Sequence, residues 1–413
     1  MEFKSPFFGK NFSMETTKGK TYFDDNKLFD SIKQYPYLDK DIKCDILVIG
    51  GGIQGAIVNY FLSQKFNCIL VDKARLGRNS TCVATALLEF QLDDFAKDLK
   101  SELDSIDICH IYKMGLKSLA KIKSVIQDLG NKCNYRVCPS LLYSNRQCDV
   151  SKIQKEFEFR KSNGFDCKFV NNENSPYPFD IKAGIFDKNG GAEFNPYLFE
   201  KQLIESATNG EKIFENTEIV EIKNQDQKII AYTKFGNTIT ANKVIITTGF
   251  DYTLIDQNTQ KLMTMDVSYT IVTKPINGIK ELKLPLIQDT LTNYHYLRVL
   301  KDNRIIFGGE DEAFGGELDY NKANKKYLSL LKNLKKMFPC FEDKIEIEYY
   351  FCGLFASTTN NLGIIGKSGR DNIYYFLSCG ANGIINTFCG VDILLDLFSG
   401  KSNEFEKYFS PQR

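Results

Sequence analysis

Apolar residues along this chain change their period from segment to segment, and the changes mark its elements. Residues 44–49, "CDILVI", form a continuous apolar run, the pattern of a strand buried on both faces of a parallel sheet. Ala56, Tyr60 and Phe61 then recur at helical spacing, with Leu62 and Phe66 continuing the face. A second run, "NCILV", ends at Asp72 and completes a βαβ frame. Further on, "MGLKSLAKIKSVIQDLG" predicts an amphipathic core-packing helix with Leu116, Leu119, Ile122, Ile126 and Leu129 on one face. "TITANKVIITTGF" (238–250) predicts a strand closing on Thr248 and Gly249, preceded by the short strand "NTEIVEI" (216–222). "YTIVTKP" and "NRIIFGG" read as strands of an antiparallel sheet. "LSCGANGIINTFCGVDILLDLFSG" (377–400) brings Gly380, Asn382 and Gly383 to the start of an apolar helix.

The chain has 413 residues, enough for two domains that can interleave. Apolar residues at 43% and charged residues at 25% are ordinary for a globular protein. A net charge of +1 leaves no basic footprint for nucleic acid. No apolar run reaches membrane-spanning length and the N-terminus lacks a signal-peptide core, so a cytoplasmic location is the default expectation. Twelve cysteines include no C-x-x-C pair, and the only histidines are His110 and His295, so no metal site is expected. Reduced thiols packed as small apolar residues are the reading that remains.

Between the first strand and helix stands G-x-G-x-x-G, Gly50, Gly52 and Gly55. Gly50 permits the tight turn, Gly52 lets backbone approach a pyrophosphate, and Gly55 lets helix and strand pack closely. Asp72, at the end of the second strand, is placed to accept hydrogen bonds from an adenosine ribose. The whole frame points to a dinucleotide.

In order, the glycine-rich βαβ, "ARLGRNSTCVATALLEF", "EFNPYLFEKQLIESA", "VIITTG", "YLRVLKDNRIIFGGED", "FCGLFASTTNNLGIIG" and "CGANGI" resemble the D-amino-acid oxidase family. That family includes glycine and sarcosine oxidases and gamma-glutamylputrescine-oxidase-like proteins, and the likeness runs from about residue 35 to about 400. It implies FAD as cofactor and an α/β fold: a glutathione-reductase-like Rossmann domain interleaved with an α+β, antiparallel-sheet substrate domain. The FAD domain is expected to gather residues 42–90, 195–260 and 353–400, and the substrate domain 91–194 and 261–352, after an N-terminal extension, 1–41. Carried onto matching positions, Gly50, Gly52, Gly55, Asp72, Lys73, Arg75, Ser80, Thr81, Thr85 and Ala86 would line the ADP, pyrophosphate and ribityl parts. Val220 would meet adenine, with Thr248 and Gly249 near the ADP moiety. Gly353, Leu354, Gly380, Ala381, Asn382, Gly383 and Ile384 would surround the flavin, with the helix dipole aimed at its pyrimidine carbonyl.

The departures bear on the substrate. Family amino-acid oxidases carry W-x-G-x-R and then T-P-D-G, whose arginine grips the substrate carboxylate. Here Phe351 replaces the Trp, Phe355 stands at the arginine, and Thr358-Thr359-Asn360 replaces Thr-Pro-Asp. Ile306 aligns with the oxygen-activating lysine of sarcosine oxidases, which leaves oxygen or another acceptor open. Cys352 lies one residue from the position where some sarcosine oxidases tether flavin. Tyr294, Tyr296 and Arg298 share one face of a strand, where the tyrosines would wall an amine and Arg298 would pair with an anionic group, or else simply pack and solvate. His295 falls on the opposite face, at most one of Tyr349 and Tyr350 faces the site, and His110 reads as structural. The expected activity is oxidation of the C–N bond of a small-molecule amine or N-substituted amino acid, by hydride transfer to flavin N5. A hydroxy-acid or polyol-phosphate dehydrogenase and a non-catalytic flavin-binding protein are the alternatives.

Overall fold

The computed structural model describes residues 17–23, 33–99, 103–207, 212–291, 293–377, 380 and 382–413. Two sheets organise the chain. The smaller runs, edge to edge, through Ile364–Lys367, Ile373–Leu377, Thr238–Ile246, Ile42–Ile49, Cys68–Val71 and Ile213–Phe214. Its four inner pairings are parallel, with Leu47 beside both Val244 and Ile69. Burial on both faces explains the unbroken apolar run: Leu47, Val48, Val244 and Ile245 are wholly buried. Lys228–Thr233 and Ile219–Gln225 extend from it as an antiparallel arm.

The larger sheet runs Thr17–Lys20, Ile347–Ser357, Thr264–Thr273, Ile305–Ala313, His295–Val299, Leu286–Asp289, Arg136–Ser144, Ala183–Glu193 and Leu87–Glu89, with Cys167–Val170 pairing onto Ala183–Glu193. It is antiparallel except where Leu286–Asp289 pairs parallel to Arg136–Ser144. Leu87–Glu89 and the full length of Ile347–Ser357 belong to this sheet.

Helices Ile53–Ser63, Ser105–Asp128 and Gly383–Phe398 share one apolar core on the outer face of the smaller sheet. The long helix differs from its sequence pattern at one end. A Cβ on Gly115 would come 2.1 Å from the Phe90 carbonyl oxygen, so the helix docks on Gly115 and leaves Leu116 37% exposed. Leu119, Ile122 and Ile126 are buried as expected, whereas His110, expected to be structural, stands exposed on the outer face. No helix among the described residues is long and apolar enough to cross a membrane.

One ion network lies wholly inside. Arg160 donates to Glu156 (2.9 Å) and Asp187 (3.0 Å), and Tyr112 and the Ala96 amide also donate to Glu156. Because the partners are desolvated, Arg160→Met is expected to strand two buried carboxylates and cost about 3–5 kcal/mol, measurable as a lowered urea midpoint.

Candidate active site

The turn after Ile49 is built by close approach. Gly50 has φ +109°, and a Cβ there would lie 2.6 Å from the Thr247 carbonyl oxygen. On Gly55 a Cβ would lie 1.8 Å from the Gly50 carbonyl oxygen, so any side chain there drives helix from strand. Thr247, at the end of the neighbouring parallel strand, shares its hydroxyl hydrogen between the carbonyls of Ile49 (2.9 Å) and Gly50 (2.8 Å). Asp72 accepts from the amides of Gly51 (2.6 Å) and Ala74 (2.7 Å), which fixes its carboxylate at the strand end. Burial raises its pKa, against the pull of those two amides and of Lys73. Thr81 accepts from the Ile53 amide (2.9 Å) at the helix N-terminus.

These groups open into a cavity of about 1710 Å³, well above the roughly 300–1,000 Å³ of an ordinary ligand pocket. Gly50, Gly52, Asp72, Lys73, Arg75, Ser80, Thr81, Thr85, Ala86, Val220, Thr248, Gly249, Gly353, Leu354, Gly380, Asn382, Gly383 and Ile384 all line it. Gly55 stands behind the turn as a packing glycine, and Ala381 lies outside the described residues. Lys73 pairs with Asp251 at 2.5 Å at the rim. Ser80 donates to the Leu354 carbonyl (3.1 Å), tying the segment after the βαβ unit to the larger sheet. Helix Gly383–Phe398 starts at the wall, its entry held by Asn382, which donates to the Gln91 carbonyl (2.6 Å).

At the other end, the larger sheet supplies Ser268, Thr270, Tyr294, Tyr296, Asp311 and Phe355. The Tyr296 hydroxyl lies 3.0 Å from Ser268 and 3.3 Å from Thr270, its ring over Gly308, where a Cβ would come within 2.4 Å. Arg298 is elsewhere: 2% exposed and absent from the wall, it donates to the carbonyls of Ala86 (3.4 Å) and Phe194 (3.1 Å), with Glu193 3.7 Å away. It shares a strand face with the tyrosines but sits behind Ala86, a non-glycine residue at φ +51°. Phe355 meets the cavity where a clamping arginine was absent from the sequence.

Ile306 is wholly buried among apolar side chains, and Cys352 packs against Tyr327 on the far side of its strand. Neither Tyr349 nor Tyr350 lines the cavity; Tyr349 packs on Tyr22 and Tyr350 is 46% exposed. His295 is buried away from it, 2.7 Å from Asp289 and 3.2 Å from Asn333. Asp311, Glu89 and Asp93 line the cavity and were not singled out in the sequence. No periodicity announces them, since cross-strand register and a kink bring them in.

A family model for FAD-dependent oxidoreductases matches residues 45–391, well over half of the chain. The chain belongs to the FAD-dependent oxidoreductase family. A Bacillus subtilis (strain 168) protein named for a Rieske 2Fe-2S iron-sulfur centre is 24% identical over 386 residues, 92% of this chain and 74% of that one. Gamma-glutamylputrescine oxidoreductase of Escherichia coli (strain K12) is 22% identical, covering 90% of this chain and 87% of its own. In fold, the chain resembles the crystal structure of glycine oxidase from Geobacillus kaustophilus, with a TM-score of 0.75 at 15% identity over 90% of this chain and 99% of that one.

The residues present suit the family's cofactor. Gly50 and Gly55 hold strand and helix where a Cβ would clash with backbone, so the turn stays open to the cavity; the N-terminus of an eleven-residue helix opens at it, and a carboxylate stands at the second strand end. In this FAD-dependent oxidoreductase, Gly50→Ala must strain a positive φ, at about 1–3 kcal/mol. It is expected to weaken FAD retention roughly ten- to hundredfold, read by dialysis and visible absorbance.

His295 offers a test of stability. Burial alone would lower its pKa, but the hydrogen bond and charge of Asp289, with the charge of Glu310, prevail and raise it. The protonated form is thus favoured in the fold, so its stabilisation is full below the unfolded pKa of ~6.5 and is lost as pH rises through the higher folded value. The gap in melting temperature between the protein and His295→Gln is expected to be widest below that pH and to shrink above it.

Proposed function

We propose that this protein oxidises the C–N bond of an amine or N-substituted amino acid, the Cα hydrogen leaving as hydride to flavin N5 and the imine product being hydrolysed by water. Bound FAD supplies the two-electron acceptor, with oxygen or another carrier taking the electrons on. The reading rests above all on the charge of the substrate end. Among the described residues, no arginine or lysine is in its wall: Phe355 occupies the clamp position and Arg298 is sequestered against Glu193. A hydroxy acid, a polyol phosphate or an amino acid with a free carboxylate, N-substituted or not, brings an anion that no described wall residue would neutralise, whereas an amine brings none, so the wall favours the amine within the proposed class.

In this reading Gly50, Gly52 and the helix N-terminus hold the pyrophosphate, Asp72 accepts from the ribose, and Val220 borders adenine with Thr248 and Gly249 beside it. Lys73, Arg75, Ser80, Thr81, Thr85 and Ala86 follow the chain of the cofactor. Gly353, Leu354, Gly380, Asn382, Gly383 and Ile384 surround the ring, and the helix they open turns its positive end toward the pyrimidine carbonyl. Their convergence on one cavity supports that assignment. Tyr294 and Tyr296 wall the substrate and exclude water, while Arg298 works from behind by holding the Ala86 carbonyl.

The test is anaerobic titration of the yellow holoprotein with amines, N-alkyl amino acids, hydroxy acids and polyol phosphates. Bleaching of the flavin bands by an amine or N-alkyl amino acid is expected. Bleaching by a hydroxy acid or polyol phosphate alone overturns the reading, as does a protein that no reductant substrate bleaches.

A further inference from the structure

Asp311 reaches the cavity through an irregularity of its strand. Val267 pairs with Glu312 and Tyr269 with Gly309, so Ser268 alone faces both Glu310 and Asp311. Gly309 at φ +128° and Glu310 at φ +57° absorb the extra residue. Such a bulge re-aims a side chain, and holding a glutamate at positive φ costs free energy that regular pairing would avoid. Its outcome is that Asp311 turns into the cavity, where the Tyr294 hydroxyl donates to Oδ2 (2.6 Å) and Ser268 also favours its charged form, while among the described residues buried Oδ1 accepts no hydrogen bond.

Two more carboxylates line the same cavity, and the charge of Asp93 acts on both Glu89 and Tyr294. Glu89 is 7% exposed, lines the same cavity, and among the described residues leaves buried Oε1 without a hydrogen bond. Asp93 also lines the wall and, with Asp311, acts on Tyr294 electrostatically. The basic residues along the cavity, Lys73, Arg75, Arg78 and Lys234, all belong to the βαβ segment and the hairpin arm. Lys326, the cation nearest Asp311 in effect, is engaged with Glu310 and Glu312. Burial pushes the Asp311 carboxyl up, and burial pushes Glu89 up to about 7 in spite of Arg160. Desolvated carboxylates with unused lone pairs are costly unless a cation completes them.

We propose that the substrate carries a second, non-reacting ammonium group, as a diamine or longer polyamine does, and that Asp311 and Glu89 receive it between the walls of Tyr294 and Tyr296. This deepens the amine-oxidation reading and rests on it. The remote cation satisfies Asp311 Oδ1 and Glu89 Oε1, and the tyrosine rings contribute cation–π attraction. Binding the far end fixes which C–N bond lies at the flavin.

The experiment compares α,ω-diaminoalkanes of three to six carbons with their mono-N-acetyl derivatives, on the anaerobic holoprotein. Acetylation removes one charge and keeps the chain. Half-bleaching of the flavin by the best diamine is expected at about a tenfold or more lower concentration than by its acetylated partner, the scale of a charge-assisted hydrogen bond. In Asp311→Asn and in Glu89→Gln that ratio falls toward one. The comparison in the unaltered protein decides even if a variant loses FAD. Equal use of diamine, acetyl-diamine and monoamine, or preferred use of an N-alkyl amino acid such as sarcosine, overturns the second-cation site while leaving the oxidation of the proposed class standing. Diamines that perturb the flavin spectrum at low concentration without bleaching it, while a hydroxy acid bleaches it, support the cation site and sink the amine reading. Diamines that neither perturb nor bleach overturn the proposal.

Discussion

Everything in this molecule hangs on the crossing of the Gly50 carbonyl, Gly55 and the Thr247 hydroxyl. Strands Ile42–Ile49 and Thr238–Ile246 are neighbours in the sheet yet almost two hundred residues apart in the chain. Their parallel ends meet within hydrogen-bonding distance only because two glycines lack side chains. The turn, the helix that leaves it and the mouth of the cavity all take their positions from that contact. Most of the larger sheet is made from the chain that runs between and beyond these two strands, so it docks on an end already defined.

From that seam the cavity acquires two ends of opposite character. One is ringed by backbone, glycines and a helix N-terminus, features that suit phosphate and a flat heterocycle. The other is ringed by tyrosines and carboxylates with no cationic side chain among the described residues. Arg298 illustrates the division. Its guanidinium is spent on backbone carbonyls near Ala86, and so it shapes the wall without meeting what binds there.

Much of the nucleotide end was legible in the residues. G-x-G-x-x-G between two apolar runs carries its own geometry, because glycine at a positive φ and a buried parallel strand are local properties. Val220, Thr248, Gly249 and the "GANGI" helix start were legible through their fixed order rather than any local signal. The substrate end was less so. Tyr296 and Arg298 alternate along the strand His295–Val299 with Tyr294 just before it, but a period of two is silent about how far along that face the cavity extends. Asp311 sits in a segment that reads as plain strand, and the bulge that turns it depends on pairing with Ser268. Leu116 fits an apolar helical stripe and is nonetheless exposed, because Gly115 against Phe90 sets the helix rotation.

By itself, then, the sequence determined the parallel βαβ core, the glycine turn between strand and helix, and the absence of an arginine at the clamp position. Those follow from backbone freedom, hydrophobic period and residue identity, which need no partner to be expressed. Tertiary structure alone decided which charges share the cavity: Arg298 drawn away to Glu193, Asp311 and Glu89 brought in. The reason is that register, bulges and helix rotation are set by contacts between distant segments, and a shift of one residue carries a side chain from one face of a strand to the other.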